Sequence, residues 1–268
     1  MTAPVLKYVG LIFGGIAVAV VTALLAGVIV VLVQRYTDKA RERHDGYVDA
    51  IGMVFAVVGV LYAIVLAFVV IAVWDQMGAA REDSFTEATA LVEVYAYAET
   101  MPENARSEIQ FLAKSYAEQV IRDEWPVMEQ HEAPPLKGWH TLDRLHEAVL
   151  ATAPGADASD AQVDAFQSAV AGVDTAETAR TARSAAASRG LPVVMWFLLV
   201  GGGALTIAFA YLFDIAGLVP QIIFTVGLTV MVVLLLYAVY QLEYPFARGE
   251  RIGPDAFRFA LARFAQIS

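Results

Sequence analysis

The chain has 268 residues, 58% hydrophobic and 17% charged, with a mean hydropathy of +0.58, a balance that excludes an ordinary soluble globular protein and indicates the membrane class. Cysteine is absent, so disulfides, thiolate nucleophiles, metal–thiolate sites and palmitoylation are all excluded. The formal charge of −10 is concentrated in residues 75–190, where 20 Asp and Glu face 9 Lys and Arg; that excess argues against nucleic acid as a partner of this segment.

Four runs are long enough to cross about 30 Å of hydrocarbon as helices, which takes roughly 20 residues. In chain order they are Val9 to Val33, Ile51 to Val73, Leu191 to Phe213 and Ala216 to Leu242, and no Asp, Glu, Lys, Arg or His lies inside them. The first run is longer than a secretory apolar core and follows a single Lys7, so it is expected to remain as a span. The predicted organisation is all-α: transmembrane helices 1 and 2 in residues 1–73, a helical domain in 74–190, transmembrane helices 3 and 4 in 191–242, and a tail in 243–268.

An even number of spans puts both termini and the inserted domain on one side. That side carries Lys7, Arg81, Arg180, Arg183, Arg189, Arg248, Arg251 and Arg258 near the span ends. The other carries Arg35, Lys39, Arg41 and Arg43, offset by Asp38, Glu42, Asp45 and Asp49, and in the second loop only Asp214. The positive-inside rule therefore places termini and domain in the cytoplasm, with the spans in the plasma (inner) membrane.

Between the second and third spans the pattern is helical throughout. Trp74 to Ala98 continues the second span; Thr100 is expected to cap the next helix, with Pro102 in its first turn. That helix runs to about His131 with a bend at Trp125-Pro126, and Pro134-Pro135 closes it. A short helix spans Thr141 to Ala151, Pro154-Gly155 turns the chain, and Ser159 opens an Ala-rich helix expected to run into the third span near Gly190.

Small residues let helix backbones approach closely in lipid. The first span carries Gly15, Ala19, Ala23 and Gly27 at intervals of four, and the second carries Gly52, Ala56, Gly59, Ala63 and Ala67. These stripes predict a tight crossing of the first two spans, or else a cavity wall. The other face of the second span, with Val54, Val58, Leu61, Val65 and Phe68 flanked by Val57 and Tyr62, is either a packing surface or a hydrophobic constriction that gates by dewetting. Gly201-Gly202-Gly203 in the third span marks a kink or a tight contact.

Enzyme constellations are missing. His140 and His146 are six apart, on different faces of a helix, and neither a P-loop nor a dinucleotide fingerprint occurs, so no cofactor, metal or catalytic residue is assigned. Asp83, Glu87 and Glu93 read as a solvated acidic face. The absence of intramembrane charge argues against a coupled transporter and is compatible with passive conduction. Where the second span ends, Trp74 suits the interface, Asp75 ends the apolar run, and Arg81 either snorkels to headgroups or faces a vestibule.

Two stretches carry a resemblance. Trp74-Asp75-x5-Arg81 followed by Glu87-Ala88-x2-Leu91-Val92-x2-Tyr95, and Leu242-Glu243-Tyr244-Pro245-Phe246-Ala247-Arg248-Gly249, resemble the bacterial membrane family with a bestrophin-like domain; the second has one more residue between Phe246 and Gly249 than the family's Pro-Phe-x-Gly segment. The resemblance implies a homo-oligomeric, pentameric ion channel in the lipid bilayer, passing small inorganic ions. It also implies a pore lined by the second span, with Val57, Val58, Leu61, Val65 and Phe68 at a hydrophobic neck and Trp74, Asp75 and Arg81 at the cytoplasmic pore mouth. The acidic domain would favour cations there. The alternative, from a different class, is a membrane-anchored structural or regulatory module whose helical domain binds a cytoplasmic partner.

Overall fold

A computed structural model describes residues 3–37, 48–212 and 218–267. The loop charges Lys39, Arg41, Arg43, Asp38, Glu42, Asp45 and Asp214 lie outside the described residues, as do the side chains of Lys7, Arg35 and Asp49. The described chain is helical: α1 (Ala3–Thr37), α2 (Val48–Ala98), α3 (Glu103–Gln119), a π-turn (Val120–Glu124), α4 (Trp125–Met128), α5 (Lys137–Leu150), α6 (Asp160–Ser188), α7 (Val193–Leu212), α8 (Leu218–Leu242) and α9 (Asp255–Ile267). Four of these, α1, α2, α7 and α8, contain stretches long and apolar enough to cross a membrane, and α2 is one unbroken helix of 51 residues.

The chain forms two compact units, one from Met1–Trp74 with Leu191–Glu243 and one from Asp75–Gly190 with Tyr244–Ser268. In the first, α8 packs along both α1 and α7. The oxygen of Tyr237 on α8 stands 2.6 Å from where a Cβ on Gly14 would be, so the glycine is what admits the tyrosine ring. Glu243, just past α8, is buried and its Oε1 accepts from the Leu191 N–H (3.0 Å) and the Trp196 indole N–H (3.1 Å). An acceptor with negative charge at a helix start satisfies donors the helix cannot and suits its dipole.

The second unit is a helical domain around one apolar core. Ala80, Ala88, Leu91, Val94, Tyr95 and Ala98 give α2 a buried stripe at helical spacing, packed with Ile109, Leu112 and Tyr116 of α3 and Val173 and Ala176 of α6. The segment after α8 is not a separate tail, since Phe246, Ile252, Phe257 and Phe264 all enter this core. Phe246 meets the Trp125 ring edge-on at 5.4 Å, and the Trp125 indole N–H donates to the Ile252 carbonyl (3.2 Å). Phe264 stacks on Tyr95 at 4.3 Å. Gly249 has φ 53°, a left-handed conformation natural to glycine, which reverses the chain between Phe246 and Ile252.

Three local expectations are corrected. Thr100 does not cap α3: its hydroxyl donates to the Tyr97 carbonyl (2.8 Å), and Pro102 itself occupies the N-cap position. Ser159 does open α6, through a reciprocal capping box with Gln162, but α6 ends at Ser188 instead of running into the third span. The chain is extended at Arg189, whose carbonyl accepts from Gln76 (2.8 Å), and Pro192 then precedes α7. Glu87 is not on a solvated face: it is fully buried, whereas Asp83 is half-buried and Glu93 exposed.

Candidate functional site

In the first unit the membrane half of α2 presents two contrasting faces. Tyr62, Leu66, Val69 and Val73 are buried, with Leu199, Val232 and Val239 in the same cluster. The glycine triplet explains the rotation of the helix. A Cβ on Gly202 would stand 2.6 Å from the Tyr62 ring, and one on Gly203 2.9 Å from its hydroxyl, so the Tyr62 ring lies where those side chains would be. Of the two readings of Gly201-Gly202-Gly203, the contact is the one observed, and Gly201 takes no part in it.

The face opposite Tyr62 is exposed in the single chain. Val57, Leu61, Ile64, Phe68 and Ile71 follow one another at intervals of three or four, the spacing of one helix face, and each is about half exposed or more. Three of the five expected neck positions, Val57, Leu61 and Phe68, lie on this face, while Val58 and Val65 sit at its half-buried edge. Ile64 and Ile71 were missed, though continuing the three-four spacing from Val57 reaches both. None of these side chains has a polar atom, so in water such a face would be unstable; it needs lipid, another chain or a constriction around it.

The small stripes behave differently from expectation. A Cβ on Gly15 would stand 3.7 Å from the Tyr237 ring of α8, while one on Gly27 or Gly59 would meet nothing within 4 Å among the described residues. At those two glycines no close approach is made within one chain. Ala19, Ala23 and Gly52 are half-buried, and Ala56 and Ala63 are exposed. At the pore-mouth positions, Trp74 closes the first unit and Asp75 opens the second, both with exposed side chains, and Arg81 further along α2 is exposed too.

Beneath the acidic surface of the second unit lies a cluster invisible to periodicity. Arg180 and Arg183 of α6, Glu87 of α2, Glu124 of the π-turn and Tyr116 of α3 are all fully buried. Arg183 donates through Nε (2.6 Å) and Nη2 (3.0 Å) to the two oxygens of Glu87, and through Nη2 (2.9 Å) to Glu124. Arg180 Nη1 lies 2.8 Å from Glu124 Oε1 and 2.9 Å from its Oε2, and donates to the Tyr116 hydroxyl (2.9 Å), which in turn donates to Glu87. Two positive and two negative charges thus cancel, although Glu124 Oε1 and Arg180 Nε are buried without a hydrogen-bond partner among the described residues. The guanidinium of Arg183 also lies 5.7 Å from the Trp125 ring and 5.4 Å from that of Phe257.

Burial, the largest influence, acts to lower the Arg183 pKa, but the charge and hydrogen bond of Glu87 together with Tyr116 and Glu124 leave the group well above its ordinary value. Burial, followed by the Glu87 charge, pushes the Tyr116 phenol well up. The π-turn swings Glu124 inward, and Gly138 of α5 makes room for it: a Cβ there would overlap the carboxylate and stand 2.5 Å from Arg180 Nη2. Arg180 and Arg183 therefore do not act as the membrane-flanking cations that their sequence positions imply. Their charge is spent on Glu87 and Glu124, and α6 positions both because they are three residues apart on one helix face.

The model of the Bestrophin-like domain family matches residues 20–257, a span that takes in the exposed face of α2 and the buried charge cluster alike. A crystal structure of a point mutant of a bacterial bestrophin homologue from Klebsiella pneumoniae superposes with a TM-score of 0.72 at 12% identity, covering 94% of this chain and 98% of that one. A second mutant of that homologue gives 0.70 at 12% identity over 93% and 97%. A mutant of a protein described only as a membrane protein gives 0.71 at 13% identity over 95% and 98%. At such identities the likeness is one of fold. No curated protein sequence matches the chain.

Proposed function

Because the chain belongs to the Bestrophin-like domain family and is an integral membrane protein of bestrophin-like fold with four long apolar helices, we propose that it is a homo-oligomeric ion channel conducting passively through a central pore. The observation that carries the reading is the uncharged, exposed face of α2 running from Val57 through Leu61, Ile64 and Phe68 to Ile71. Around a symmetry axis, copies of that face form a narrow apolar neck, which conducts when wetted and closes when dry. Val58 and Val65 sit at the flank of the neck. The exposed Ala56, Ala63 and Ala67 lie on the other flank, where small side chains suit contact with a neighbouring subunit. Five copies is the number the family resemblance implies.

The second unit sets the ion. Its excess of 20 acidic over 9 basic residues within 75–190 raises the local concentration of cations, so selectivity leans to cations, with Asp75 and Arg81 as opposed charges at the mouth. Lys7, Arg81, Arg189, Arg248, Arg251 and Arg258 favour a cytoplasmic location for this unit and for both termini in the inner membrane. The buried Arg180 and Arg183 no longer count toward that bias. Purified protein reconstituted in planar bilayers tests the function: unitary currents are expected, altered by Leu61→Ala or Ile64→Ala. Silent bilayers from well-folded protein would refute it.

A further inference from the structure

A second polar constellation, which the channel reading does not use, lies between α5 and α6: His146 of α5 faces Asp174 and Glu177 of α6. Asp174 and Glu177 are three residues apart and share a helix face. The imidazole stands between them, with Nδ1 2.9 Å from Glu177 Oε1 and Nε2 3.9 Å from Asp174 Oδ1. One ring nitrogen and one oxygen from each carboxylate all lie within 4.8 Å of one another. Among the described residues, no lysine or arginine forms an ion pair with either carboxylate. With a neutral imidazole the trio therefore carries two uncompensated negative charges, in a segment that is already strongly acidic.

We infer that His146, Asp174 and Glu177 form a binding site for a divalent transition-metal cation of the zinc type, which ties α5 to α6. The donor set is one nitrogen and two oxygens, which suits zinc and disfavours calcium or magnesium, whose preferred shells are oxygen only. Ligands about 2.1 Å from a tetrahedral ion lie about 3.4 Å apart, so a rotation of the surface-exposed Asp174 side chain completes the set, and water fills the open position. Glu177 lies one turn before Arg180, and Gly138 on the same α5 abuts Arg180 and Glu124, so an ion here would clamp the helix pair that encloses the buried charge cluster.

The test uses the full chain in detergent, stripped with a chelator and titrated with zinc against a chromophoric competitor. The absence of cysteine keeps thiolate binding out of the measurement. One zinc per chain is expected, weakened at least tenfold by His146→Gln and by Asp174→Asn and unchanged by His140→Gln, with a given zinc concentration raising the apparent Tm of the wild type and of His140→Gln by more than that of the two site variants. Asp174 has a 61% exposed side chain, so its replacement leaves the fold intact even should His146→Gln disturb it. Failure of zinc to bind, or affinity that survives Asp174→Asn, overturns the assignment; loss caused equally by His140→Gln does so too.

Discussion

Replacing Arg183 by Met tests whether the buried cluster holds the helical domain together. The substitution keeps an unbranched apolar stem and removes the charge. Glu87 then retains only the Tyr116 hydroxyl, Glu124 retains only Arg180, and the site holds one net negative charge with no exposure to water. Breaking a buried pair in this way costs about 3–5 kcal/mol. At roughly 2–4 °C per kcal/mol for a chain of this size, the apparent Tm should fall by about 6–20 °C. Arg258→Ala supplies the control, because Arg258 and Asp255 are 63% and 73% exposed and such a pair is worth about 0–1 kcal/mol. Thermal unfolding of purified protein, followed by tryptophan fluorescence, reads both, since Trp125 lies against the Arg183 guanidinium. Removing both charges with Glu87→Leu and Arg183→Met should recover part of the loss. An Arg183→Met protein within about 2 °C of wild type would refute the reasoning.

Other outcomes follow from particular contacts. Gly202→Ala places a methyl group against the Tyr62 ring, an overpacking worth about 1–3 kcal/mol, and should change open probability in bilayer recordings by turning α2. Glu243→Ala strips the acceptor from the Leu191 and Trp196 N–H groups; a loss of about 1–3 kcal/mol in thermal unfolding is expected, with Glu243→Gln retaining most of the wild-type stability. The Tyr116 pKa is raised in the folded state by burial and Glu87, so its stabilising effect is complete below about pH 10 and is lost as pH rises toward the folded value. Denaturant melts from about pH 9 to 11 should therefore show a steeper loss in wild type than in Tyr116→Phe.

The four membrane helices were readable because an uncharged apolar run of about 20 residues is seldom anything but a span. The continuation of α2 past Trp74 was readable as well, because nothing between Asp75 and Ala98 stops a helix. The resemblance motifs gain physical meaning only in three dimensions: Glu87, Leu91 and Tyr95 are core positions, and Pro245, Phe246 and Gly249 fold the chain back into that core. What stayed hidden required partners distant in sequence. Arg183 pairs with Glu87 across 96 residues and His146 with Glu177 across 31, and no periodicity reports such pairings. Ser188 and Pro192 ended a helix that alanine content alone would have continued. The rotation of α2, and with it the inclusion of Ile64 and Ile71, depends on Tyr62 meeting two glycines of α7.

The central claim is that the exposed face of α2 lines a conducting pore. A chain without cysteine allows single cysteines to be placed along this helix with no background. Currents through reconstituted protein should be blocked by a water-soluble thiol reagent when cysteine replaces Val57, Leu61, Ile64, Phe68 or Ile71. They should be indifferent to it at Leu66, Val69 and Val73. Block at the second set, or at neither, would contradict the account.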